Sequence, residues 1–100
     1  MSDSNISTST SIIGDKVKNF EGVDLGKVKE LLLNTDTGKI EYGVISHGGI
    51  AGLGSKDIAV PYEAFTLQKE DDYFILNVDK ETLDSANSKI EYNGKDYFIY

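Results

Sequence analysis

The stretch most suggestive of chemistry is residues 46–56, SHGGIAGLGSK, which joins the single histidine, His47, to Gly48, Gly49, Gly52 and Gly54. A phosphate-binding loop follows G-x-x-x-x-G-K-[ST], with lysine directly after the last glycine and a magnesium-binding hydroxyl at the start of a helix. The interval from Gly49 to Gly54 fits, but Ser55 and Lys56 stand in reversed order, and the DIAVP that follows has strand composition. A dinucleotide fingerprint fails as well, because neither a third glycine nor a helix follows Gly52 and Gly54. For general-base work His47 needs a nucleophile and an orienting carboxylate, and no spacing nominates either. It reads as a strand-end residue. The loop reads as a connection between strands whose apolar Ile50 and Leu53 offer a partner-contact surface.

Other polar clusters resolve more simply. In residues 34–38, NTDTG, a calcium loop of the EF-hand type would need Glu at its twelfth position, where Ile45 stands. These residues read as a hairpin turn. Glu70, Asp71 and Asp72 read as a solvated turn. With one histidine and no cysteine, zinc sites, disulfides and thiol nucleophiles lack their residues. No cofactor or metal is expected, and no enzymatic activity.

The formal charge is −7, and every cation is a lysine. Without arginine the chain lacks the side chain best suited to bidentate contact with phosphate or guanine. Direct nucleic-acid binding is therefore not expected, and the six tyrosines read as half-buried sheet residues rather than base-stacking platforms. The acidic balance suits solubility or a basic partner. No secretion signal or membrane-spanning run is legible, so a cytoplasmic protein without membrane insertion is expected.

These residues must be held by short extended segments. Residues 1–10 are too polar to offset their ordering entropy and read as a disordered tail. After them come Val17 and Phe20 before a Glu21-Gly22 break, then residues 25–33. The latter have helix-forming residues, but Gly26 and the absence of a C-cap favour a strand. Ile40, Tyr42 and Val44 alternate with Lys39, Glu41 and Gly43. Pro61 should end the next strand, and Phe74, Leu76 and Val78 alternate in another. One helical turn is expected in KETLDSA, with Asp79 as N-cap. Asn93-Gly94 between two β-rich runs predicts a type I′ hairpin. The sum is a mainly β chain: a small, mostly antiparallel barrel with one short helical turn and a C-terminal hairpin.

In that order, Gly14, Val17, Asn19, Gly22, Leu25, Gly26, Val28, Gly38, Ile40, Tyr42, Val60 and Pro61 form a recognisable pattern. Over about residues 11–86 the chain resembles the PRC-barrel family, which takes its name from the cytoplasmic domain of the photosynthetic reaction-centre H subunit. Lys56, before the AVP strand, also fits the family pattern. The resemblance implies a barrel-like domain over 11–86, with residues 87–100 as an appended hairpin. It further implies a non-enzymatic interaction or assembly module that self-associates as a homodimer and docks on another protein. Related barrels serve reaction centres, archaeal cell division, and a ribosome-maturation factor that contacts a ribosomal protein. The alternative role is thus an accessory in RNA metabolism acting through a ribosomal protein. The expected contact residues are His47, Gly48, Gly49, Ile50 and Leu53 of the loop, with Tyr97 and Tyr100 of the hairpin.

Overall fold

The computed structural model describes residues 8–48, 54–68 and 73–100. Among the described residues, eight strands form one sheet: β1 (Lys16–Lys18), β2 (Asp24–Leu33), β3 (Ile40–His47), β4 (Lys56–Pro61), β5 (Phe65–Gln68), β6 (Tyr73–Leu76), β7 (Ser88–Tyr92) and β8 (Lys95–Ile99). Their spatial order is β5-β6-β1-β2-β3-β4-β8-β7. Neighbours are antiparallel except β1/β6 and β4/β8, which run parallel. Two short helices, α1 (Ser9–Ile12) and α2 (Lys80–Asp84), and a 3₁₀ turn at Tyr62–Ala64 complete the fold. No helix among the described residues is long and apolar enough to cross a membrane.

The expected barrel is present as a curled sheet that, among the described residues, does not close. β5 and β7 end the order and do not pair with each other. The sheet is nevertheless strongly curled. In a flat sheet, β5 would lie about 19 Å from β3, four strand spacings away. Instead, the Phe65 ring of β5 packs over Gly43 of β3, where an added Cβ would meet the ring at 2.9 Å. Phe65 also meets Phe74 of β6 edge-on, with ring centroids 5.8 Å apart. Curling of this kind encloses the main core of Val17, Leu25, Val28, Ile45, Ile58, Val60, Phe74 and Leu76, with Ile12 and Leu83 contributed by the two helices.

A second cluster lies on the other face of β3 and β4. Val44, Ala59 and Tyr97 are buried there, with Leu32, Tyr42, Ile90 and Ile99 packed against them. This explains why Val44 and Ile45, adjacent in β3, are both buried, whereas a strand with one wetted face would alternate. The cover is the hairpin β7–β8. It joins the sheet beside β4 and folds back far enough for Tyr92 to meet Tyr42 of β3, with centroids 5.9 Å apart.

Local signals place most elements. Asn34 Oδ1 accepts hydrogen bonds from the Asp36 and Thr37 amides, making the expected turn between β2 and β3. Pro61 closes β4, and Asn93 and Gly94 take φ of 52° and 78°, as a type I′ turn requires. Gly26 has φ of 132°, and a Cβ there would run into the Ser46 carbonyl oxygen. Three expectations change. Ser9 and Thr10, assigned to the disordered tail, belong to α1, whose Ile12 enters the core. Asp79 precedes α2 as expected but makes no side-chain capping bond. Phe20, expected in a strand, lies in the turn between β1 and β2.

Candidate interaction surface

His47 and Lys56 face each other as the last and first residues of β3 and β4, at the base of the glycine-rich connection. Both grip α2. His47 is only 3% exposed. Its Nδ1 lies 2.7 Å from the Leu25 carbonyl oxygen and its Nε2 lies 2.6 Å from Asp84 Oδ1. A carbonyl can only accept, so Nδ1 carries a proton; with both ring nitrogens protonated and Asp84 ionised, both contacts are satisfied. The bond from His47, and after it the one from Lys80 at 3.0 Å, holds the Asp84 carboxyl below its ordinary pKa of 3.8. Lys56 Nζ donates to the Asp84 and Ala86 carbonyls, which the end of α2 leaves without helical partners. The expectation that His47 forms a contact surface is corrected. Its ring is spent on internal bonds that fasten the ends of the loop to α2.

Gly48, beside it, is exposed. Gly49, Ile50 and Leu53 lie outside the described residues, as do Glu70, Asp71 and Asp72. Among the described residues, no group of three or more His, Asp or Glu side chains gathers as a metal site would require.

Tyr97 is likewise 3% exposed, which corrects its expected role as a contact residue. Its hydroxyl donates to Glu30 Oε1 of β2 at 2.6 Å, and Lys95 approaches the other carboxylate oxygen at 3.8 Å. Burial first, and then the bond to Glu30, pushes the Tyr97 hydroxyl pKa up to about 12. Beside this bond, Leu32, Leu33, Glu41, Tyr42, Tyr92 and Lys95 line an open groove of about 790 Å³. Tyr100, the hairpin residue that does reach solvent, is 50% exposed at a shallow depression bordered by α2.

The residue that sequence reasoning passed over is Phe20, 71% exposed. Asn19, buried beside it, fixes the turn. Asn19 Oδ1 accepts from the Glu21 and Val23 amides at 2.9 and 3.0 Å, and Nδ2 donates to the Val78 carbonyl at 3.3 Å. Val23, in the same turn, is also exposed. The signal was present in Asn19-x-x-Gly22, the sequence of a side-chain-closed turn, which points the intervening residues outward.

The model of the PRC-barrel domain matches residues 5–83. The chain belongs to the PRC-barrel family. No curated protein sequence matches it significantly. Among solved structures it is similar to the 16S ribosomal RNA processing protein RimM of Pseudomonas aeruginosa, with a TM-score of 0.54 and 17% identity. The match covers 81% of this chain and 50% of that one, so this chain spans half the length of its structural neighbour. At that identity the likeness is one of fold.

Proposed function

We propose that the chain is a non-enzymatic interaction module of the cytoplasm that associates with itself and docks on another protein. The observation carrying the docking is the Phe20 turn. A large aromatic carried in solvent on four residues of closed turn has little backbone entropy left to lose on binding, and such side chains anchor interfaces. Phe20→Ala should weaken binding to the physiological partner at least about tenfold while leaving the urea midpoint unchanged. A cross-linking residue at position 20 that captures nothing in cells would remove the reading.

A second reading is favoured by the likeness to a 16S ribosomal RNA processing protein. The module would then reach the ribosome through a ribosomal protein, since a chain of net charge −7 without arginine is poorly equipped to hold RNA itself. Co-sedimentation with small ribosomal subunits at low salt, reduced by Phe20→Ala, supports it. Absence of binding to subunits at every stage of assembly overturns it.

A further inference from the structure

Among the described residues, β7 ends the sheet with β8 as its single neighbour. Its pairing with β8 runs without a register shift from Ser88↔Ile99 to Tyr92↔Lys95. No proline or bulge guards the strand, and of the usual protections of an exposed edge it has only its charged side chains, Lys89 and Glu91. In an antiparallel ladder, hydrogen-bonded and non-hydrogen-bonded pairs alternate, and the pair flanking a two-residue turn is bonded. Counting from Tyr92↔Lys95, the backbone N–H and C=O groups of Lys89 and Glu91 point away from β8. Both side chains are exposed. Glu91 also stands directly opposite Asp96, and like charges at that position destabilise a ladder.

We propose that β7 pairs antiparallel with the β7 of a second copy, about a two-fold axis at Ile90, so that two sheets become one. A two-fold axis normal to the sheet requires that the register be centred on a residue. Centring on Lys89 or Glu91 would set like charges against each other. Centring on Ile90 sets each Lys89 opposite the partner's Glu91, twice by symmetry, and uses the outward backbone groups of both residues. Each Glu91 then has an ammonium on one side to offset Asp96 on the other. Ile90 meets its own copy as a non-hydrogen-bonded pair, the closer of the two pair types, and its half-buried side chain extends the cluster around Tyr97. One five-residue strand per copy makes a small interface, so the dimer is reversible.

This inference deepens the self-association half of the proposed function and rests on it. The test is sedimentation velocity of the full chain over a concentration series at low salt. The wild-type chain is expected to dimerise, and K89E and E91K are each expected to raise the dissociation constant about tenfold or more. Mixed in equal amounts, the two variants are expected to associate again, because one edge then carries two carboxylates and the other two ammonium groups. That recovery cannot arise from misfolded chains, and matching urea midpoints check folding directly. A wild-type chain that stays monomeric throughout overturns both this inference and the self-association reading. A dimer indifferent to both variants, or a mixture that associates no better than its components, overturns the β7 pairing alone.

Discussion

His47 and Tyr97 are both aromatic, both buried and both bonded to a carboxylate, yet they hold the molecule in different ways. His47 joins three elements: β3, which carries it, β2 through the Leu25 carbonyl, and α2 through Asp84. Tyr97 joins two, β8 and β2, through a single hydroxyl. His47 and Leu25 lie within the family match, with Asp84 one residue past its end at 83; the second knot ties the appended hairpin, through Tyr97, to Glu30 within the match. Removing His47 strands an acceptor in the interior. Removing the Tyr97 hydroxyl leaves Glu30 beside Lys95 and partly in water. The lesson is that the family scaffold is fastened by a bond network with no substitute, whereas the hairpin is attached by packing with one polar bond added.

The sharpest way to break that asymmetry is Gly26→Ala, next to the carbonyl that receives His47. The positive φ and the Ser46 carbonyl both exclude a methyl group there. A loss of about 3 kcal/mol or more, or failure to fold, is expected, measured by urea unfolding. His47→Ala follows, at about 2–4 kcal/mol, combining a cavity with an unpaired buried carbonyl. A loss below about 1 kcal/mol would mean that water replaces the ring readily, and the two knots would then be equivalent. Tyr97→Phe keeps the ring in its cluster and loses one bond, so about 1 kcal/mol is expected. Amide exchange should quicken in β7 and β8 while β2 and β3 keep their protection.

The same contrast separates what could be read from the sequence. Turns and strand ends were legible at Asn34, Pro61, Asn93 and Gly26, because each answers a local demand on φ or on a backbone donor. The strand 25–33 was legible against its helix propensity for the same reason. Sheet closure was not, since it depends on how far curling carries β5 toward β3 and on whether backbones then meet. The His47–Asp84 pair was missed because 37 positions separate its members and only the docking of α2 brings them together. The polar composition of Ser9 and Thr10 suits a tail, and it is the burial of Ile12 that orders their turn. Phe20 was read by residue type as a strand position, while Asn19 had already closed a turn around it.

Changes of pH address the two knots at opposite ends of the scale. The Asp84 pKa is lowered in the folded chain, first by His47 and then by Lys80. As pH falls, the unfolded chain takes up that proton first. The stabilisation is therefore complete above the unfolded value near 3.8 and is lost as pH drops below it through the folded value. Because the Asp84 side chain is 46% exposed, the loss should be modest, and Asp84→Asn should flatten the acid limb of the stability curve. Tyr97 behaves in the opposite sense. Its folded pKa of about 12 lies above the ordinary 10.0, so the unfolded chain releases the proton first as pH rises. Its contribution is intact below pH 10 and declines between there and about 12. Tyr97→Phe should remove that decline. If Asp84→Asn instead alters the alkaline decline, the knots communicate through β2, and the separation of scaffold from hairpin fails.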